Sequence, residues 1–199
     1  MPLSTPVQPG EPNRDDAPIG LSTALDSLHD ETGRTLRQIT DERPTLVVLL
    51  RHAGCTFCRQ TLADLAAARA AIAARGLLIV VIGMTDSTGS MRRLGARCGL
   101  GEVLWIADPN RLAYKALEIG RGSVRQLIGA RVIWLGLQAV LRGHGLGRIQ
   151  GDPFQMPGTA MVHRGAVVRR YVHQTAADRP DLEAFACGLE AEGQLRGQA

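Results

Sequence analysis

The sequence predicts an α/β fold: a central mixed β-sheet flanked by helices, with a helical insertion around residues 120–150. Three observations carry that reading. Thr45-Leu46-Val47-Val48-Leu49-Leu50 and Leu77-Leu78-Ile79-Val80-Val81-Ile82 are continuous aliphatic runs of the kind that form strands buried on both faces of a parallel sheet. Between them, Arg59 to Arg75 is a long stretch of Ala and Leu helix formers. Near the C-terminal end, Thr159 to His163 and Ala166 to His173 alternate like strands and are joined by Arg164-Gly165, a hairpin signal.

Residues 1–18 carry five prolines and a cluster of charges between Glu11 and Asp16. Such a composition buries too little apolar surface to order itself, so a flexible leader is expected there. The remainder, 19–199, is expected to be a single domain, since a chain of 199 residues with 45% hydrophobic content can bury most of its unfolded surface around one core. Leu21, Leu25 and Leu28 fall at helical spacing. After Gly33 the stretch Thr35-Leu36-Arg37-Gln38-Ile39 alternates and reads as a short strand.

The first aliphatic run leads into the cysteines, and Gly76 stands where the long helix should be capped. After the second run, Asp86 or Ser87 is a candidate cap for a helix over Ser90 to Cys98, stopped by Gly99. Val103-Leu104-Trp105-Ile106 is a shorter strand ending at Asp108-Pro109, and Pro109 suits the first turn of a helix to about Glu118. Between 120 and 150, Val124, Leu127, Ile128, Val132, Leu135 and Val140 form an apolar helical stripe between Gly-rich ends, hence the insertion. Pro180 to Leu189 closes the chain as a helix.

Composition narrows the function. The net charge of +4 comes from 22 Arg and a lone Lys115 distributed along the chain, and aromatic residues make up 4%, so neither a basic tract nor a stacking platform points to nucleic acid. The run Val132 to Leu141, closed by Arg131 and Arg142, falls short of the ~18 apolar residues of a membrane span. Met-Pro-Leu-Ser-Thr-Pro has no basic start with an apolar core, so no secretory signal is read and a cytoplasmic location is expected. Thiols there are kept reduced, which favours a redox or metal role for a CxxC over a permanent disulfide.

Cys55-Thr56-Phe57-Cys58 stands where a buried strand gives way to a long helix. A sulfur at a helix start meets free backbone N–H groups and the positive end of the dipole. Thiol pKa values at such sites fall from about 8.5 into the ~3.5–7.5 range. Arg51, His52 and Arg59 are candidate sources of further positive charge, with Thr56 inside the motif. A thiolate there can attack a disulfide or a peroxide, and the second cysteine resolves the intermediate. The metal alternative is a zinc half-site. Neither Cys98 nor Cys187 belongs to a second pair, so completion would fall to His52, His163 or His173, and no metal or other cofactor is expected.

The string Arg51-His52-Ala53-Gly54-Cys55-Thr56-Phe57-Cys58-Arg59 resembles the active-site segment of peroxiredoxin-like proteins of the AhpC/TSA class, in the branch containing selenoprotein L. The segment Gly151-Asp152-Pro153-Phe154-Gln155-Met156-Pro157-Gly158 is similar to that branch's Gly-Asp…Gln…Gly signature. The resemblance spans roughly residues 20–190 and implies a thioredoxin-like fold with a redox role. True peroxiredoxins place Pro and Thr or Ser seven and three residues before the peroxidatic cysteine. If that cysteine matches Cys58, Arg51 and Cys55 stand there instead. Pro157 stands at a strand start where peroxiredoxins keep an arginine and thioredoxins a cis proline, which makes Met156-Pro157 a candidate cis bond, the other reading being a trans turn. By thioredoxin logic Cys55 attacks and Cys58 resolves; in a peroxiredoxin those roles exchange.

Cys98 is a candidate alternative resolving thiol, set against a packed small residue, and Cys187 reads as packing. Asp108-Pro109 reads as a strand end and helix start, Trp105 and Trp134 as core or interface. The stripe of 124–141 is either packed on the domain or a dimer or membrane-surface contact, with Arg121, Arg125, Arg131 and Arg142 beside it. The sequence therefore predicts a thiol-disulfide oxidoreductase with a disulfide substrate, reduced by a thioredoxin or glutathione system. A thiol peroxidase acting on hydroperoxides is the first alternative, and a non-catalytic redox sensor or metal clip the second.

Overall fold

β1 (Thr45–Leu50) is the axis of the molecule. It pairs in parallel with β2 (Leu78–Gly83) on one side and antiparallel with β4 (Gly158–His163) on the other. β3 (Leu104–Ala107) extends the sheet from β2, and β5 (Ala166–Val172) from β4, giving the mixed order β3-β2-β1-β4-β5. The computed structural model describes residues 19–51, 55–123 and 152–186, with positions 132, 134, 137, 138 and 141 between them. The expected leader, most of the 120–150 insertion and residues 187–189 of the closing helix lie outside these.

Alternation along the central strands divides the interior into two cores. Val47 and Leu49 of β1, with Val80 and Ile82 of β2, face the side covered by α1 (Leu21–Ser27), α2 (Leu36–Glu42) and α5 (Leu112–Ala116). Leu46, Val48 and Leu50, with Ile79 and Val81, face α3 (Thr56–Ala74) and α4 (Gly89–Arg97). Every residue of β1 is buried, which explains why its sequence is a continuous aliphatic run. Leu62, Leu65 and Ile72 anchor α3 at 0% exposure, and truncating any of them to Ala would cost ~2–5 kcal/mol.

Three local expectations are corrected. Residues 35–39 form the start of α2, not a strand: Thr35 accepts from the backbone N–H of Gln38 while the Gln38 side chain accepts from Thr35 N–H. This capping box fixes helical geometry over an alternating pattern. Neither Asp86 nor Ser87 caps α4, which starts after Thr88; the Thr88 hydroxyl turns away to Glu31. Pro109 does not open α5. Both oxygens of Asp108 accept from Leu112 and Ala113 N–H, at 2.8 and 2.9 Å, and so set the helix start beyond Arg111. The hairpin stands as expected, Arg164 and Gly165 both taking positive φ between β4 and β5. Residues 182–186 are helical.

Candidate active site

The chain leaves β1 at Leu50 and enters α3 through Cys55, whose extended backbone (φ −77°, ψ 123°) makes it the residue just before the first helical turn. The first N–H groups of a helix have no internal partner. Here those of Phe57 and Cys58 favour the Cys55 thiolate, although the sulfur makes no capping hydrogen bond. The Cys58 thiol, on the first turn, donates to the Cys55 sulfur. Both cysteines are buried and both are free thiols.

Arg51 follows β1 directly and is 7% exposed. Its Nη1 lies 3.7 Å from Cys55 Sγ. Its other donors are occupied: Nε donates to the carbonyl of Gln155 at 3.0 Å and Nη2 to that of Pro153. The cation is thus held against the sulfur by a turn about a hundred residues away in sequence. The Cys58 hydrogen bond most strongly, then the Arg51 charge and the two backbone N–H groups, lower the Cys55 thiol to about 6 against the opposing effect of burial. At neutral pH such a thiol is mainly thiolate.

The turn that holds Arg51 is itself braced. Asp152 is paired with Arg111 at 3.1 Å and with Arg121 at 2.9 Å, and it accepts from Phe154 N–H at 2.8 Å. Gln155 is buried, and its Nε2 donates to the carbonyls of Ile119 and Gly120 at 2.7 and 3.0 Å. Gly122 N–H donates to Phe154 and Met156 N–H to Gly120, so the two ends of the 120–150 segment are stitched together beside the site. The chain then runs through Pro157 into β4 at Gly158, which faces Leu49 of β1. A Cβ at Gly158 would come within 2.7 Å of Ile119, so glycine is required for that approach.

The Met156–Pro157 bond is trans, like the other peptide bonds among the described residues, which corrects the cis expectation. The bridge of Gln155 to Arg121 and the bond from Met156 N–H already carry the chain in extended form to the sheet edge. Pro157 nonetheless lies next to the strand end that leads to the cysteines. Thr56 is buried at the first position of α3, and its Oγ1 has no hydrogen-bond partner. The Arg59 charge favours the Cys98 thiolate, and the Cys98 Sγ donates to the Arg59 carbonyl at 3.6 Å. Cys98 is half-buried, and burial pushes its thiol up. His52 and Cys187 lie outside the described residues. His163 is half-buried on β4, and His173 is buried beyond β5 with Nδ1 unpartnered. Among the described residues no three His, Cys, Asp or Glu side chains are grouped to hold a metal ion.

Two supporting residues had no role in the sequence reading. Gln155 was visible only as a letter of the Gly-Asp…Gln…Gly signature. Tyr114, fully buried on α5, donates its hydroxyl to the carbonyl of Leu50, with Ile82 O at 3.4 Å, and so ties down the strand end that launches the cysteine turn. Burial, with the nearby Asp108 and Cys58, pushes that hydroxyl well above its ordinary range, so it remains a donor. No spacing rule links a lone Tyr in a short helix to a strand end more than sixty residues earlier.

No protein-family model matches the chain. It is 25% identical over 185 residues to a prostamide/prostaglandin F synthase of Salmo salar, with 90% of each chain covered. A solved peroxiredoxin Q of Xanthomonas campestris superposes with a TM-score of 0.60 at 15% identity, covering 89% of this chain and 99% of its own. A secreted disulfide oxidoreductase of Mycobacterium tuberculosis gives 0.53 at 13% identity, over 83% and 98%. The fold is thioredoxin-like. The mixed five-stranded sheet with helices on both faces is the architecture these neighbours share.

Proposed function

We propose that this protein is a thiol-dependent oxidoreductase that cycles Cys55 and Cys58 between dithiol and disulfide. The observation that carries the reading is the Cys55 sulfur, held near pKa 6 by the Cys58 thiol, the Arg51 guanidinium and two helix N–H groups. The Cys55 thiolate attacks one sulfur of a substrate disulfide, the substrate S–S bond breaks, and the departing thiolate takes a proton. Cys58, deprotonated, then attacks Cys55 in the mixed disulfide and releases the second substrate thiol. Two electrons have passed to the substrate, and the protein disulfide is returned to the dithiol by a thioredoxin or glutathione system. The family likeness proposed for it is the AhpC/TSA peroxiredoxin-like group in its selenoprotein L-related branch, on the two motifs that frame Cys55 and Arg51. A cytoplasmic setting, which keeps such a pair reduced between turnovers, fits this role.

A second reading, thiol peroxidase, has its own observation: Cys98 reaches the first turn of α3, at the carbonyl following Cys58. There a hydroperoxide oxidises one thiolate to a sulfenic acid, with release of water or an alcohol, and a second thiol condenses with it to a disulfide. The test is to present the reduced protein with hydrogen peroxide and, separately, with insulin, and to map the disulfide formed. Coupling of Cys55 to Cys58 by insulin, with a mixed disulfide trapped through Cys55 in Cys58→Ser, is the expected result. A Cys58–Cys98 disulfide formed by peroxide alone would replace the first reading with the second. If neither oxidant couples any pair, the enzyme reading fails.

A further inference from the structure

Residues 132, 134, 137, 138 and 141 are helical and present two unlike sides. Val132 is 5% exposed and belongs to the core beneath α1, α2 and α5. Trp134, Leu137 and Leu141, spaced three and four apart and so on one helical face, are 60%, 53% and 79% exposed. Burial of Val132 against the domain leaves this tryptophan and these two leucines facing outward. They are the most exposed large apolar side chains among the described residues.

The sequence segment that carries that face is one-sided in charge. From Ile119 to Gly151 the sequence contains Arg121, Arg125, Arg131, Arg142 and Arg148, and no Asp, Glu or Lys. The whole chain carries +4, so the rest of it, without this segment, is net −1. All of the protein's excess positive charge is therefore gathered in the segment that exposes Trp134, Leu137 and Leu141.

We propose that this face docks the protein on an anionic lipid bilayer, in the plane of the headgroups. An outward Trp/Leu face in a sequence segment rich in arginine and free of acids is the pattern of a helix lying in a membrane interface. Aromatic and leucine side chains enter the acyl boundary while arginines meet lipid phosphates. A second copy of the chain is the poorer occupant, because a two-fold contact would bring the same acid-free, five-arginine segment against itself.

The experiment uses the full chain and does not depend on thiol chemistry. With Trp105→Phe leaving Trp134 as the remaining tryptophan, vesicles of equal phosphatidylglycerol and phosphatidylcholine are titrated into the protein, and binding is also read by co-flotation. The expected result is a blue shift of Trp134 emission with phosphatidylglycerol, weakened by 0.5 M salt and absent with phosphatidylcholine alone. Leu137→Glu/Leu141→Glu, both at exposed positions and checked for an unchanged circular-dichroism spectrum, should bind at least about tenfold more weakly. Each of Arg125→Ser and Arg131→Ser should weaken binding by about fivefold. Wild-type protein that neither floats nor shifts overturns the proposal, as does equal binding by the double Glu variant. A concentration-dependent dimer that the double Glu variant dissolves, with no vesicle binding, assigns the face to a second copy and also overturns it.

Discussion

Cys55 and Cys98 are the same chemical group placed at opposite ends of two helices. Cys55 immediately precedes α3, where backbone N–H groups favour its thiolate; Cys98 immediately follows α4, where carbonyls converge, and its own thiol donates to the Arg59 carbonyl. Burial opposes ionisation of both. At Cys55 it is overcome by the Cys58 hydrogen bond, Arg51 and the helix start, whereas at Cys98 the Arg59 charge does not overcome it. The dipoles add to the contrast, since a helix start favours an anion and a helix end disfavours one. Burial alone therefore does not decide a cysteine's reactivity; the donors aimed at the sulfur do.

The sharpest way to break this contrast is to remove each thiol in turn. Ultraviolet absorbance of the thiolate, followed against pH, should show a step near pH 6 that disappears in Cys55→Ser and persists in Cys98→Ser. The same ionisation should appear in stability. The Cys55 pKa is lower in the folded protein than the ~8.5 of an unfolded thiol, so ionisation favours the fold. The contribution is complete above pH ~8.5, shrinks as pH falls, and is gone below about 6. Under reducing conditions, denaturant unfolding of wild type and Cys55→Ser should thus diverge by up to ~3 kcal/mol as the pH is raised from 5.5 to 9.

Removing single donors should move the step by less. Cys58→Ala should raise the Cys55 midpoint by ~1–2 pH units, while Cys58→Ser, which keeps a hydroxyl donor, should raise it by less than half as much. Arg51→Met should raise it by about 1 unit. It should also destabilise the protein by ~1–3 kcal/mol, because the Gln155 and Pro153 carbonyls lose their donor. The smallest shift belongs to Gln155→Ala. It should cost ~1–2 kcal/mol by thermal unfolding and shift the midpoint by less than Arg51→Met, since Gln155 acts on the sulfur only through the turn that holds Arg51. A larger shift there than for Arg51→Met would show that the turn, not the guanidinium, sets the site.

Much of this frame was legible from local pattern. β1 and β2 were readable because burial on both faces leaves no polar position in a strand, and α3 because its Ala and Leu content and terminal glycine agree. The alternation of residues 35–39 misled because two side chains, Thr35 and Gln38, outweigh a period read over five residues. The placement of CxxC at a helix start was likewise a local fact, and with it the reason for one thiol to be acidic.

By itself, then, the sequence determined the α/β alternation, the cysteine pair at the mouth of α3 and a general bias toward thiolate. The tertiary structure alone decided which cation serves that thiolate and which thiol stands near it. Arg51 meets Cys55 because β4 inserts antiparallel beside β1 and brings carbonyls 153 and 155 to the strand end, whereas the charge of Arg59, nearer the motif by spacing, favours the Cys98 thiolate. Periodicity and propensity act over a few residues, whereas these contacts join groups about forty to a hundred residues apart, and only the register of the folded sheet brings them together.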